Sequence, residues 1–73
     1  MNILKVLNIG YSLLKSNRIN SYKIDTELLL SDSLNVSREN LLLNFKQSVN
    51  TKKYKNFLIK LYRRQKREPI AYI

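Results

Sequence analysis

Apolar side chains recur along this chain at the three- and four-residue spacing of amphipathic α-helices. In the first segment one side of such a helix would carry Ile3, Val6, Leu7, Gly10, Leu13 and Leu14. This spacing predicts a first helix over about residues 2–16. A cluster of turn-forming residues follows, and Ser21 is predicted to cap a second helix that runs to about Leu34. Asn35 is then predicted to end that helix in the left-handed conformation.

The second helix differs from the first in the distribution of its apolar positions. Leucines and one isoleucine spread around more than one of its faces, which predicts a central helix that packs against several neighbours. Asp25 and Glu27 stand near its start. Because carboxylates stabilise the positive end of a helix dipole, we predict a structural role for both acids rather than a catalytic one.

Two further helices are predicted in the second half of the chain. Ser37 can cap a short third helix with an apolar body of Leu41, Leu42, Leu43 and Phe45, which should end near Phe45 or Lys46. A polar loop over residues 47–51 precedes the fourth helix. Its apolar stripe consists of Tyr54, Phe57, Leu58, Leu61 and Tyr62, and aromatic residues at this spacing are predicted to be core rather than nucleobase platforms.

The amino-acid composition, taken with these predicted helices, indicates the fold class. The 73 residues include one Gly and one Pro, which favours helices with short connections, so we predict an all-α fold: a small bundle of four or five helices. A chain of this length forms one small domain. Cysteine and histidine are both absent, and the acids are scattered, so the sequence indicates no catalytic centre, no bound cofactor and no metal site.

Positive charge is concentrated in the fourth helix. The formal net charge is +9, and no acid stands between residues 52 and 67. The cations of this candidate partner-binding face are Lys52, Lys53, Lys55, Lys60, Arg63, Arg64, Lys66 and Arg67. Such a face indicates either an anionic partner or a solvated surface, and the sequence leaves both open. No apolar run reaches the length of a membrane span or a signal peptide, so membrane insertion and secretion are not expected.

The last residues break the helical pattern. Pro69 cannot continue a helix and biases Glu68 away from the helical region. The apolar run over residues 70–73 is then predicted to be a strand or an extended linker. We therefore expect a bundle over residues 1–67 and, over residues 68–73, the start of a linker to a domain outside this chain.

Three segments together resemble a known family. They are Asp25-Thr26-Glu27-Leu28-Leu29-Leu30, then Ser37-Arg38-Glu39-Asn40-Leu41-Leu42, and finally Glu68-Pro69-Ile70-Ala71-Tyr72-Ile73. In this order they resemble the N-terminal domain of the HemK/PrmC release-factor glutamine methyltransferases, with Glu68, Pro69 and Tyr72 in its domain junction. Arg67 and Asn35 depart from the pattern, since glycine is usual before Glu-Pro and frequent at the end of the second helix.

The resemblance implies a substrate-recognition domain in a longer cytoplasmic, monomeric enzyme. Such an enzyme would use S-adenosylmethionine in its own C-terminal methyltransferase domain to methylate the glutamine of the Gly-Gly-Gln loop of class I peptide release factors. The family's Asn-Pro-Pro-Tyr motif and Gly-rich cofactor loop do not occur in these 73 residues, so no catalytic or cofactor residue carries over. The alternative from the residues alone is a basic nucleic-acid-binding bundle, with binding that weakens steeply as salt rises.

Overall fold

The computed structural model describes all residues from Met1 to Ile73 and confirms the all-α fold. In chain order the elements are α1 (Ile3–Ser16), α2 (Tyr22–Leu34), α3 (Arg38–Leu42), α4 (Thr51–Gln65) and a 3-10 helix (Ile70–Tyr72). The β pairing is limited to an isolated bridge between Asn2 and Ser48. No helix combines the length and the apolar character that crossing a membrane requires.

The core lies where α2 packs against α1, α3 and α4, which confirms the predicted central position of α2. The buried apolar side chains are Ile3, Val6, Leu7, Leu14, Ile19, Leu29, Leu30, Leu34, Leu41, Val49, Phe57 and Leu61. Gly10 allows the closest approach of α1 and α2, because a Cβ at this position would overlap Thr26 Cγ2 and press on the Phe57 ring. The Thr26 hydroxyl in this contact is buried without a hydrogen-bond partner.

Side chains satisfy the free amides at three helix starts. Asn2 Oδ1 accepts from Lys5 N at 2.9 Å, Ser37 Oγ accepts from Asn40 N at 3.1 Å, and Asn50 Oδ1 accepts from Lys53 N at 2.8 Å. The predicted cap at Ser21 is wrong: its hydroxyl donates to Asp25 Oδ2 at 2.7 Å and accepts no backbone amide. The backbone of Ser21 (φ −86°, ψ 26°) is not in the extended conformation that a capping residue usually has, so its hydroxyl oxygen is not placed to accept from the first amides.

Three helices end in the same way, with a left-handed residue just past the last turn. These residues are Arg18 (φ 60°), Asn35 (φ 59°) and Arg67 (φ 67°). After α4, Glu68 N donates to Arg63 O at 3.2 Å and Arg67 N donates to Arg64 O at 2.9 Å, the paired bonds of a Schellman motif. The prediction for Asn35 is confirmed. Arg67 does not extend the fourth helix, and it adopts the conformation that glycine adopts most readily.

The third helix is shorter than predicted. It ends at Leu42 rather than near Phe45 or Lys46, and Leu43 is 82% exposed. The backbone that follows bonds to the start of α1 instead: Leu4 N donates to Phe45 O at 3.1 Å and Ile3 N donates to Gln47 O at 2.9 Å. The first amides of a helix lack partners within the helix. The loop carbonyls of Phe45 and Gln47 supply partners for those of α1, and α3 does not continue into this loop.

The predicted strand or extended linker over residues 70–73 is also wrong. Tyr72 N donates to Pro69 O at 2.9 Å and Ile73 N donates to Ile70 O at 3.1 Å, which closes a 3-10 helix. Ile70 and Ile73 both pack against the core. Residues three apart in a 3-10 helix lie on one side, so this tight turn partly buries both isoleucines, whereas an extended run would need a strand partner for its backbone.

Candidate partner-docking surface

The cations of α4 divide into two groups according to the side of the helix on which they lie. On the side that faces α2, Arg64 Nε pairs with Asp25 Oδ2 at 2.8 Å and Lys60 Nζ pairs with Asp32 Oδ2 at 2.5 Å. The side chain of Asp25 is 6% exposed, whereas that of Asp32 is 70% exposed. Both pairs join α4 to α2, so these two cations belong to the internal structure of the bundle.

A second buried acid of α2 binds side chains from the other two helices. Glu27 accepts from the Tyr11 hydroxyl at 2.5 Å and from Arg38 Nε at 2.8 Å. Burial raises the pKa of Tyr11 above its ordinary value, and the hydrogen bond to Glu27 and the charge of that carboxylate raise it further. Of the two acids only Asp25 lies in the first turn of α2, where the predicted dipole interaction applies. Both carboxylates also connect helices through ion pairs.

The other side of α4 carries an exposed row of residues that we term the outward stripe: Lys52, Lys55, Ile59, Tyr62 and Lys66. Their spacing of three and four places them on one face of the helix. Ile59 is 62% exposed and Tyr62 is 58% exposed. The three lysines of this stripe enter no ion pair, so the stripe combines exposed apolar surface with unneutralised positive charge.

An apolar groove runs beside the outward stripe, between α1 and α4. It has a volume of about 890 Å³, and its apolar lining comes from Ile9, Leu13, Tyr54, Leu58, Leu61 and Tyr62. Lys5, Asn8, Ser12 and Ser16 form the α1 border, and no acid lines the groove. Because Tyr62 belongs to both features, groove and stripe form one continuous surface.

The structure separates the residues of the predicted basic face. Lys60, Arg63 and Arg64 are held in ion pairs, and Arg67 Nη2 donates to Asn17 O at 2.9 Å. The four remaining cations, Lys52, Lys53, Lys55 and Lys66, are exposed and unpaired. The unneutralised part of the predicted face is therefore smaller than the sequence indicated, and binding of a partner by the face stays a prediction.

Sequence reasoning missed part of this surface. Phe57 is fully buried as predicted, but Tyr62 is exposed and the prediction that it belongs to the core is wrong. Ile59 and Ile9 were not assigned to any surface. A signal was present for both isoleucines: Ile59 interrupts a lysine-rich row at helical spacing, and Ile9 lies off the core face of α1, which holds Val6, Leu7 and Leu14.

Comparison with known proteins decides the family. Residues 5–73 match the family described as the PrmC N-terminal domain. The chain belongs to this family. The resemblance inferred from the leucine-rich helix, the Ser37-Arg38 helix start and the Glu68-Pro69 junction is thereby confirmed.

A curated relative of this PrmC N-terminal domain is the release factor glutamine methyltransferase of Leptospira interrogans serogroup Icterohaemorrhagiae serovar Lai (strain 56601). The two are 35% identical over 72 residues, which is 99% of this chain and 25% of the relative. The chain thus spans about a quarter of the relative's length. No solved structure matches the chain.

Proposed function

We propose that this chain is the substrate-docking domain of a release factor glutamine methyltransferase and that it binds a class I release factor on the surface formed by the groove and the outward stripe. The observation that carries the proposal is the apolar groove with an unneutralised lysine row beside it. Family membership and the name of the Leptospira relative supply the substrate class.

The chemistry of this surface specifies the segment that it would bind. Leu58 and Leu13 offer apolar contact in the groove, and exposed aromatic residues such as Tyr62 are frequent anchors of protein interfaces. Lys52, Lys55 and Lys66 favour an acidic flank. We therefore infer that the bound segment of the release factor is amphipathic and acidic. Charge complementarity of this kind chiefly accelerates encounter and fixes orientation.

Methyl transfer itself belongs outside this chain in our proposal. The parent enzyme would transfer a methyl group from S-adenosylmethionine to the amide nitrogen of the glutamine in the Gly-Gly-Gln loop. The residues of this chain do not fit that cofactor: Gly10 is packed against Thr26 inside the bundle, and the groove offers no carboxylate for a ribose hydroxyl. The bundle would hold the release factor while another domain of the same cytoplasmic protein methylates it.

The test is the binding of release factor to the full-length enzyme after charge reversal on the outward stripe. Lys55→Glu and Lys66→Glu change exposed residues without ion pairs, so the fold should be preserved. We expect the association rate constant, measured by stopped-flow at low salt, to fall about tenfold and the difference to shrink as salt rises. Activity on a short Gly-Gly-Gln peptide should not change, since such a peptide does not need the docking surface.

Lys23→Glu supplies the matched control. It makes the same charge change at an exposed, unpaired lysine of α2, away from the groove, and it should have a much smaller effect on the association rate. Equal association rates for the stripe variants and the unaltered enzyme would refute the proposed docking surface. Salt-sensitive binding of the chain to RNA, abolished by the same variants, would support the nucleic-acid-binding alternative instead.

A further inference from the structure

The segment after α4 is held by more contacts than a helix end requires. We term residues 68–73 the C-terminal turn. The Schellman motif at Arg67 already pairs the carbonyls of Arg63 and Arg64 near the end of α4. Arg63 and Arg64 nevertheless direct their side chains toward this turn, and Arg67 reaches Asn17 at the end of α1.

Arg63 binds both ends of the C-terminal turn. Its guanidinium donates to the Glu68 carboxylate through Nε at 2.7 Å and through Nη2 at 2.5 Å, and Nη2 also donates to Tyr72 O at 3.1 Å. A two-point guanidinium–carboxylate contact fixes direction as well as distance. One side chain thereby sets the span from Glu68 to Tyr72.

Arg64 connects the same turn to the interior of the bundle. Its Nη1 donates to Glu68 O at 3.1 Å, while its Nε pairs with the buried Asp25 of α2 at 2.8 Å. Pro69 adds rigidity, since its ring fixes φ, here −57°. Ile70 and Ile73 pack against the core. The turn is therefore fastened to α2 and α4 at its start and to the core at its end.

We propose that Arg63 and Arg64 are positioning residues that fix the direction in which the chain leaves the bundle. This inference rests on the proposed function, in which a methyltransferase domain follows the C-terminal turn. A docked release factor can present its glutamine to that domain only if the bundle is held at a set distance and angle. The arginine contacts would supply that rigidity, and their loss would leave docking intact while misplacing the docked substrate.

The test uses the full-length enzyme with Arg63→Gln, which removes the charge and the two-point contact with Glu68. The Arg63 side chain is 43% exposed, so the bundle should remain folded. With intact release factor we expect kcat to fall about tenfold or more while KM changes less than twofold, because misplaced reacting groups slow the chemical step. Kinetics on a short Gly-Gly-Gln peptide should stay unchanged. Arg63→Lys, which keeps the charge, should restore part of the loss, and Lys23→Gln should have no effect.

A distance measurement separates this inference from the proposed function. The chain has no cysteine, so one spin label can be placed at Asn56→Cys on α4 and another on the methyltransferase domain. Arg63→Gln should broaden the distance distribution between the labels. An unchanged distribution would overturn the positioning role whatever happens to activity. The two proposals can fail separately. If Arg63→Gln broadens the distance distribution but the stripe variants bind release factor as the unaltered enzyme does, the positioning role stands and only the docking surface is rejected.

Discussion

The two sides of α4 carry similar charge but stand in different surroundings. On the inner side, Arg64 and Lys60 each meet a carboxylate of α2. On the outer side, Lys52, Lys55 and Lys66 meet none, and Ile59 and Tyr62 lie exposed among them. In a helix with no acid between residues 52 and 67, α2 therefore neutralises two of the eight cations, and the lysines of the outward stripe stay unneutralised.

This difference shows that the charged residues of one helix do not by themselves indicate which of them form ion pairs within the fold and which are free for a partner. Asp25 and Asp32 stand in the sequence 39 and 28 residues before their partners, so the pairing exists only after α2 and α4 pack together. The inner cations are retained by the fold, because a buried carboxylate without a partner is costly. The outer lysines stabilise nothing that the structure shows, and their position beside an apolar groove suits recognition.

The largest expected effect comes from removing Arg64. Arg64→Met leaves Asp25, with its side chain 6% exposed, as a buried and uncompensated charge. We expect the free energy of unfolding to fall by about 3 kcal/mol, the usual cost of breaking a buried ion pair from one side. Urea denaturation of the 73-residue chain followed by circular dichroism measures this change.

The control for Arg64→Met is a variant on the outer side of the same helix. Lys55→Met makes a similar replacement at an exposed, unpaired position and should change the free energy of unfolding by less than about 0.5 kcal/mol. Adding Asp25→Asn to Arg64→Met should recover part of the loss, since it removes the unpaired charge. Equal destabilisation by the Arg64 and Lys55 variants would contradict the distinction between the two sides.

Lys60 should give an intermediate result. Its partner Asp32 is 70% exposed, so water solvates that carboxylate whether or not the lysine is present. Lys60→Met should therefore cost no more than about 1 kcal/mol, in the range of surface ion pairs. The same denaturation experiment in 1 M NaCl should reduce the difference further. If Lys60→Met lowered the free energy of unfolding as much as Arg64→Met, burial of the carboxylate partner would not determine the size of the effect.

The sequence predicted the helices well because their signals are local. Apolar spacing, Ser37 as a cap and Asn35 as a left-handed stop act within a few residues. The helices α1 and α2 formed close to the expected bounds, and α4 contains the predicted apolar stripe. The core assignment of Phe57 followed from the same periodicity. The family resemblance, which the comparisons confirm, could not have come from periodicity and charge, and it is the basis of the substrate class that we propose.

Apart from the cap at Ser21, whose partner Asp25 is only four residues away, the main departures from prediction share a different cause, since each depended on a distant partner. Leu43 and Phe45 lie outside the third helix, contrary to the prediction, because the segment after Leu42 forms hydrogen bonds to the start of α1. Residues 70–73 form a 3-10 helix instead of an extended segment, and Ile70 and Ile73 pack against the core of the bundle. The ion pairs of Lys60 and Arg64, which the sequence did not indicate, likewise depend on acids of α2. Single-sequence patterns carry no information about such contacts. The groove between α1 and α4 forms through contacts of this kind, so its position could not be predicted.

The smallest expected effect is local and involves Arg63, the cation that binds the C-terminal turn rather than α2. The hydrogen bond from Arg63, together with its charge, lowers the pKa of Glu68 below its ordinary value of 4.5. Since the pKa is lower in the folded state, the stabilising contribution of this pair is complete above pH 4.5 and is lost as the pH falls through the lowered value. The C-terminal turn should therefore loosen as the pH falls through that lowered value.

Carbon-13 NMR of the Glu68 side-chain carboxyl between pH 2 and pH 6 measures this titration directly. We expect its midpoint below 4.5, with the amide resonances of Ala71 and Tyr72 changing over the same interval. Arg63→Gln should move the midpoint back toward the ordinary value, whereas Lys55→Gln should leave it in place because that lysine lies on the outward stripe. A midpoint at or above 4.5 in the unaltered chain would mean that Arg63 does not hold the C-terminal turn in solution.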